Sequence, residues 1–487
     1  MHGSKACAFC DDFSDGIWTK FPRNPVMVRS QEWERDYICE PNILFENGLF
    51  RMWYAGFPTQ ENPSGHVGTA VGYATSPDGM TWTKHPGNPV LSVEGDSVHR
   101  PTVMKHQGAY FLFAVDKNEH GVAAPATMRR WISTDGIAWR DDRVVMRADQ
   151  VWENRTLSNM AVIVDNDGVW RMLYTGGDEA IGGYFGYAWS RDGISWTKHE
   201  GNPIIRDLYG GDPFLVKIGD RYYAWHSQSI GGSLRICCRW SRDMIQWHPV
   251  PHNPQINYTQ PWERGLSPEE GGTTVGHFGH LTDATLCQAH GRVFMIYQGA
   301  QTPFGCATFD GTFADLAQRL DHPPLSKWSE SPYGMVEGGT LKICDTGSDR
   351  EPLVAKVAGV KDRNRLECRI QCYAGATHRV SVIMRYRDRN TFARFWLHDA
   401  QHTYYQECLR GLFSEPVNIG ANHACDADWH DWAVEVDGPR NRLTLDGRVV
   451  GECRTSAELA RSLAASPAHV GFSSLDAYVS IAFVRVV

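Results

Sequence analysis

Carboxylic acids stand at the start of several short apolar segments in the first 311 residues. Five segments share one pattern, in which a short strand, a glycine-containing turn and an aromatic strand follow each other. Their first residues are Glu40, Arg100, Asn159, Asp212 and Asp283. Carboxyl groups that crowd together raise each other's pKa, so that one can hold a proton while another is ionised. The pattern therefore predicts acid–base or nucleophilic chemistry, if the fold brings the five starts together.

A second phrase alternates with these segments and indicates the fold. It reads DGIWTKFPRNPV, SPDGMTWTKHPGNPV, STDGIAW, SRDGISWTKHEGNPI and SRDMIQWHPVPHNPQ, with Trp82, Trp139 and Trp196 57 residues apart. Asp-Gly turns between short alternating strands at this period are typical of a β-propeller. The first copy precedes the first segment, so we expect the N-terminal strand to complete a fifth blade beside FGCATFDG (304–311). The alternative is a degenerate all-β sandwich.

The sequence predicts two all-β domains. Residues 1–311 fit a five-bladed β-propeller whose inner strands meet at a central funnel, and residues 312–333 lose the pattern and fit a linker. Residues 334–487 contain alternating strands without the repeat, which favours a β-sandwich of jelly-roll type. In a propeller the five segment starts would converge at the funnel.

These phrases resemble known enzymes. The repeated DG-x-x-W-x-K…NPV phrases and the RMWY strand resemble the five-bladed propeller glycoside hydrolases of families 43, 32 and 130, and the segment WAVEVDGPRNRLTLDGRVVGE resembles a laminin-G or concanavalin-like sandwich. The resemblance implies cleavage or transfer of a small glycoside, which uses two carboxylates. It assigns Glu40 as base or nucleophile and Asp212 or Asp283 as partner acid. Blades two and three depart from these families, because Arg100 and Asn159 stand at acid positions.

A further local pattern would line the mouth of the funnel. The groups Trp33-Glu34-Arg35, Trp152-Glu153-Asn154-Arg155 and Trp262-Glu263-Arg264 read as one loop used three times. In this interpretation Trp33 stacks on a sugar ring and Glu153 supplies the proton donor that blade three lacks. The alternative is a structural Glu–Arg pair that holds the loop.

The loop before Asp283 is the most distinctive unrepeated segment. It is rich in glycine and contains His277 and His280, which could contact substrate hydroxyls or join Asp283 around a cation. Hydrogen bonding of these histidines to the backbone is the commoner outcome. We therefore predict neither a metal nor a cofactor.

Two other functions are compatible with the sequence. One is a phosphate-dependent glycoside phosphorylase, in which His99, Arg100 and Arg155 would hold phosphate. The other is a non-catalytic carbohydrate-binding or scaffolding propeller, which the missing acids of blades two and three favour. Asn159 would contact the substrate in each case.

Composition limits the partners. The net charge of −8 argues against nucleic acid and anionic membranes, and we find no apolar stretch long enough to span a bilayer. The N-terminal residues lack the apolar core of a signal peptide, and the 13 cysteines lack framework spacing. We therefore expect a cytoplasmic protein whose partner is a small carbohydrate, and a homo-oligomer is compatible with the sequence.

Overall fold

The computed structural model describes most of the chain. The described residues are 9–11, 17–58, 68–94, 96–116, 125–177, 183–206, 210–230, 233–256, 261–264, 281–299, 303–322, 334–337, 340–344, 353–354, 363–373, 379–398, 402–421, 428–463, 469–475 and 478–486. They fall into two compact units, one of residues 18–322 and one of residues 323–487 together with 1–17. We number the strands along the chain, and β1 (Phe9–Asp11) belongs to the second unit.

The first unit is a propeller of five four-stranded antiparallel sheets. In order from the centre outward, the sheets are β3-β4-β5-β6, β7-β8-β9-β10, β11-β12-β13-β14, β15-β16-β17-β18 and β19-β20-β21-β2. The strands are β2 (Thr19–Lys20), β3 (Tyr37–Glu46), β4 (Leu49–Phe57), β5 (Ala70–Ser76), β6 (Thr83–Lys84), β7 (His99–His106), β8 (Ala109–Val115), β9 (Thr127–Ser133), β10 (Arg140–Arg147), β11 (Leu157–Val164), β12 (Trp170–Gly176), β13 (Tyr184–Ser190), β14 (Trp196–Lys198), β15 (Phe214–Ile218), β16 (Arg221–Ile230), β17 (Ser233–Ser241), β18 (His248–Pro249), β19 (Thr282–Ala289), β20 (Arg292–Gln298) and β21 (Phe304–Asp310).

Strand β2, which precedes the first full blade in the sequence, closes the ring and confirms the fold predicted from the repeat. Strand β2 pairs with β21, with Thr19 opposite Thr308 and Lys20 opposite Ala307. Residues from the two ends of the propeller sequence therefore share blade five. This pairing covers the edge of β21, which would otherwise be open to another chain.

The repeated Ser-x-Asp-Gly phrase forms the turn before the outer strands of blades one to four. In the third-blade copy, Ser190 Oγ bonds to Asp192, whose carboxylate also accepts the backbone N–H groups of Ile194 and Ser195. These N–H groups, Ser195 first, lower the pKa of Asp192 to about 2. In the fourth copy Met244 replaces the glycine and keeps its left-handed backbone (φ 67°). The Asp of the phrase is therefore a turn residue.

The second unit is a β-sandwich. One sheet has the order β22-β23-β35-β25-β31-β32-β33 with β1 beside β35, and the other has the order β24-β34-β26-β27-β28-β29 with β30 beside β28. Alternate residues such as Leu366, Phe395 and Trp432 form the core between them. The strands are β22 (Gly334–Glu337), β23 (Thr340–Cys344), β24 (Leu353–Val354), β25 (Arg363–Tyr373), β26 (Arg379–Tyr386), β27 (Thr391–His398), β28 (His402–Leu409), β29 (Leu412–Phe413), β30 (Val417–Ala421), β31 (Trp429–Asp437), β32 (Arg440–Leu445), β33 (Arg448–Arg454), β34 (His469–Leu475) and β35 (Tyr478–Val486).

Helices are few and short. Helix α1 (Phe313–Leu320) begins at an N-cap, Thr312, and lies in the first unit, inside the range interpreted from sequence as a linker. Helix α2 (Ala457–Leu463) buries two leucines in the sandwich core. Single 3-10 turns lie at Glu32–Glu34, Val151–Glu153 and Pro261–Arg264. No helix among the described residues is long and apolar enough to cross a membrane.

Candidate active site at the propeller funnel

The five segment starts come together at the centre of the propeller. They line a small, solvent-connected cavity, together with the residues that follow them on the inner strands. The five are Glu40, Arg100, Asn159, Asp212 and Asp283. We call Glu40, Asp212 and Asp283 the funnel carboxylates. They come from blades one, four and five, which are neighbours around the ring.

The backbone is strained where these side chains enter the funnel. Glu40, Arg100, Asp212 and Asp283 have left-handed φ angles of 56°, 59°, 59° and 52°. The strand register also shifts at the starts of β3, β7, β11 and β19, as in a β-bulge. A bulge re-aims a side chain, and left-handed backbone costs a non-glycine residue about 1–3 kcal/mol. Strain of this kind is frequent at functional sites.

A second set of polar side chains, one to two residues further along the inner strands, joins neighbouring blades and also lines the cavity. The side-chain oxygen of Asn42 accepts a hydrogen bond from the N–H of Val103 in blade two, at 3.1 Å. The Thr285 hydroxyl of blade five accepts one from the N–H of Ile43, also at 3.1 Å. Thr102 donates to the carbonyl of Met160 in blade three. These bonds connect blade five to blade one, blade one to blade two, and blade two to blade three. They therefore also fix the positions of the segment starts that these blades carry.

Arg100 lies among the acids. Its Nη1 is 3.6 Å from Glu40 Oε1 and 3.5 Å from Asp212 Oδ1, and it donates to the Asn159 side chain. Its backbone N–H donates to Glu40 Oε2 at 2.5 Å. Because one nitrogen approaches both carboxylates, Glu40 Oε1 and Asp212 Oδ1 are at most about 7 Å apart.

Asp283 is the funnel carboxylate of blade five, and its surroundings disfavour its ionised form. Its Oδ1 accepts a hydrogen bond from the Asn159 amide at 3.1 Å. Burial raises the pKa of Asp283 well above its usual value, the negative charges of Asp212 and Glu40 raise it further, and Arg100 opposes them. Asp283 is therefore the candidate for the protonated member of the group.

Two further residues contact the funnel residues Asp212 and Glu40, and neither was predicted from the sequence. Ser227 Oγ donates to Asp212 Oδ2 at 2.6 Å, and Gln298 Oε1 accepts from the backbone N–H of Glu40 at 3.3 Å. Both side chains lie near the ends of the aromatic second strands, β16 and β20, beside an inner-strand start. Ser227 is the polar residue at the end of YYAWHS, and Gln298 is the polar residue at the end of FMIYQ. A polar residue at this point of an aromatic strand could have indicated both from the sequence.

The Trp-Glu loops have a different environment from the funnel. Glu153 is fully buried and accepts hydrogen bonds from Lys198 Nζ, the Tyr174 hydroxyl and the N–H groups of Asp149 and Gln150. The same four residue types recur in blades one and five, and we call each set a Trp-Glu brace. The braces are Trp33, Glu34, Tyr54 and Lys84; Trp152, Glu153, Tyr174 and Lys198; and Trp262, Glu263, Tyr297 and Lys20.

The tryptophan of each brace packs on its own blade. Trp33 covers Gly56 and Gly72, where a Cβ would come within 2.1 Å and 2.6 Å of the indole ring, and its Nε1 donates to Gln31 at 2.7 Å. Glycines on two adjacent strands leave the space that the ring fills. The buried glutamate of each brace pairs with a lysine of the outer strand.

The remaining sequence candidates are not part of the described cavity lining. His99 is 1% exposed, and its Nε2 donates to the backbone carbonyl of Asp116 at 3.2 Å. Arg155 is exposed, and its carbonyl accepts the N–H of Ala126. His277 and His280 lie outside the described residues. Within the described ranges no group of three or more His, Cys, Asp or Glu side chains is arranged to hold a metal ion.

Comparison with known proteins supports the resemblance seen in the sequence. Residues 99–263 match the model of the glycosyl hydrolases family 32 N-terminal domain. The uncharacterized protein Rv1502 of Mycobacterium tuberculosis is 26% identical over 327 residues, which cover 60% of this chain and 99% of that protein. A 1,2-beta-oligomannan phosphorylase of Thermoanaerobacter sp. is 32% identical over 123 residues, which cover 22% of this chain and 41% of that protein.

Two solved structures align with the chain at low sequence identity. The GH43 protein BlXynB of Bacillus licheniformis aligns over 96% of this chain and 99% of its own, with 14% identity and a TM-score of 0.39. A putative glycoside hydrolase of Bacteroides ovatus aligns over 62% and 98%, with 15% identity and a TM-score of 0.47. The family match confirms, on residues 99–263, that the propeller resembles those of glycoside hydrolases.

Proposed function

We propose that this protein cleaves or transfers the glycosidic bond of a small carbohydrate bound at the propeller funnel. The observation that carries the proposal is the crowding of three carboxyl groups from three blades around one cavity. Such crowding is costly for folding and is the arrangement that acid–base chemistry requires. The glycosyl hydrolase family match supports a sugar as the substrate.

The funnel carboxylates divide the chemistry between them. Asp283, whose pKa is raised, would protonate the glycosidic oxygen as the bond breaks. Glu40, which accepts a hydrogen bond from the N–H of Arg100 and lies near its guanidinium, would stay ionised and act as base or nucleophile. Arg100 would keep Glu40 and Asp212 charged and oriented while the substrate enters.

Phosphorolysis is the second candidate, favoured by the similarity to the oligomannan phosphorylase. In that reaction phosphate replaces water as the attacking group and needs a cation near the funnel carboxylates. Arg100 is the cation among the described cavity residues, and phosphate would compete with Glu40 and Asp212 for it.

Turnover of a panel of aryl glycosides and 1,2-β-linked oligomannosides, with and without inorganic phosphate, tests the proposal. Product anomers are identified by proton NMR. The variants are Glu40→Gln and, as a matched control, Asp220→Asn, which removes an exposed acid that pairs with Arg242.

Three results are distinguishable. Hydrolysis without phosphate that Glu40→Gln abolishes and Asp220→Asn retains supports a hydrolase. A sugar 1-phosphate formed only with phosphate supports a phosphorylase. Binding of sugar without turnover by the wild type would contradict the proposal and favour the non-catalytic propeller.

A further inference from the structure

Asp212 is held by a buried hydroxyl group of its own blade, that of Ser227. Ser227 is 1% exposed, and its Oγ donates to Asp212 Oδ2 at 2.6 Å, while Arg100 approaches the other oxygen at 3.5 Å. Both oxygens of Asp212 are therefore engaged by donors. Donors aimed at a carboxylate stabilise its ionised form relative to its protonated form.

The backbone fixes Ser227 against the segment that carries Asp212. The N–H of Ser227 donates to the carbonyl of Gly211 at 2.8 Å, and the N–H of Gly211 donates back at 3.2 Å. A Cβ on Gly210 would lie 2.2 Å from the carbonyl oxygen of Ser227, so this close approach requires glycine. The two hydrogen bonds between Gly211 and Ser227 involve only backbone atoms. We therefore expect them to remain when the Ser227 hydroxyl is removed.

The charged groups around Asp212 come from several blades. Arg100 faces it from blade two, and the negative charges of Glu40 and Asp283 act on the same cavity from blades one and five. His226, the neighbour of Ser227, directs Nδ1 to the carbonyl of Ser227 at 3.2 Å. Two acids therefore oppose ionisation of Asp212, and Arg100 and Ser227 favour it.

We propose that Ser227 is a positioning residue that keeps the Asp212 carboxylate ionised and oriented toward the funnel. The proposal deepens the proposed function and rests on it for its catalytic meaning. With Asp212 and Glu40 both charged beside Arg100, ionisation of a third carboxylate, Asp283, in the same cavity is unfavourable. The site then keeps its proton on the neighbouring acid, where the leaving group needs it.

A titration that does not depend on activity tests this role. The full chain is labelled with ¹³C at the aspartate carboxyl carbons, and the Asp212 signal is assigned by its loss in Asp212→Asn. In Ser227→Ala we expect the pKa of Asp212 to rise by roughly one pH unit relative to the wild type. Ser227→Thr, which keeps the hydroxyl, should restore the wild-type value. Ser97→Ala is the matched control, because the described structure gives this buried hydroxyl no hydrogen-bond partner.

A kinetic readout separates this inference from the proposed function. With a turned-over glycoside, the acidic limb of the kcat profile should move upward in Ser227→Ala by the same amount as the Asp212 titration. An unchanged Asp212 titration in Ser227→Ala would overturn the inference even if the wild type cleaves glycosides. A shifted titration without any glycoside turnover would keep the role of Ser227 and reject the proposed function. If Ser227→Ala does not fold, Ser227→Cys supplies a weak donor and an intermediate shift is expected.

Discussion

The propeller buries two sets of carboxylates, and their surroundings differ. The brace glutamates, Glu34, Glu153 and Glu263, are fully buried, and each has a lysine and a tyrosine as partners. The funnel carboxylates have Arg100 as their shared cation and lie close to one another. Where a buried carboxylate has its own cation, its negative charge is neutralised, and we interpret it as structural. Three carboxylates that share one cation keep an excess of negative charge, which a bound proton or a substrate group can neutralise.

The two sets also differ in whether their residue types repeat from blade to blade. The braces recur in blades one, three and five with the same residue types, because each solves the same packing problem beneath an outer strand. The five funnel positions carry Glu, Arg, Asn, Asp and Asp, so the same structural position holds four different side chains. Variation at a structurally repeated position indicates that the side chain serves the cavity and not the blade.

The largest expected effect is the loss of activity in Glu40→Gln. Removing a base or nucleophile should lower kcat by about 10³-fold or more, with little change in stability because the change keeps shape. Glu153→Gln should retain the kcat of the wild type in whatever fraction stays folded. The measurement is kcat for both variants, with the folded fraction determined by circular dichroism. If Glu153→Gln lost kcat while folded, the division between the two sets would be wrong.

The next effect concerns stability. Lys20→Met leaves Glu263 buried without its cation, which should lower the free energy of unfolding by about 3–5 kcal/mol. Urea unfolding followed by tryptophan fluorescence measures it. Arg242→Met breaks an exposed pair with Asp220 and should cost less than about 1 kcal/mol. The double variant Lys20→Met/Glu263→Gln should recover part of the loss, and equal losses in the buried and exposed pairs would contradict a structural brace.

The fold could be predicted from the sequence because the repeat specifies it at every blade. The five funnel residues followed from the register of that repeat, since each begins an inner strand. The braces did not follow, because the lysine partner of Glu153 lies 45 residues away and is brought near by strand pairing. The contact of Ser227 with Asp212 did not follow either, because it joins residues 15 positions apart through the backbone pairing of Gly211 with Ser227.

A smaller effect on stability is expected from Asp283→Asn, and its sign distinguishes the two sets. The pKa of Asp283 is raised in the folded state, so between the unfolded-state pKa near 4 and the folded value the folded state binds more protons. Stability therefore falls as pH rises through this window. Asp283→Asn removes that slope and should stabilise the propeller at pH 7, while it abolishes activity. The slope it removes is about 1.4 kcal/mol for each pH unit inside the window.

Urea unfolding at a series of pH values from 4 to 8 provides the test. The curves of the wild type and Asp283→Asn should converge at the acidic end and separate as pH rises. A variant less stable than the wild type at pH 7 would show that Asp283 is a structural acid like the brace glutamates.

The smallest expected effect is that of Trp33→Phe on substrate binding. Because the indole packs on Gly56 and Gly72, the variant should change KM by less than about twofold and lose some stability. Initial-rate kinetics measure KM. A large rise in KM with unchanged stability would place Trp33 against the sugar, as the sequence pattern suggested.

The most direct test of a catalytic funnel is a crystal structure of Glu40→Gln soaked with a saccharide that the wild type turns over. We expect sugar density in the funnel, with the anomeric carbon between Asp283 and position 40. The separation of the carboxylates in the wild-type structure then predicts the stereochemistry, at about 5–5.5 Å for retention and 6.5–9.5 Å for inversion. Sugar bound elsewhere on the protein, with the funnel occupied by Arg100 and closed to ligand, would contradict a catalytic role for the funnel.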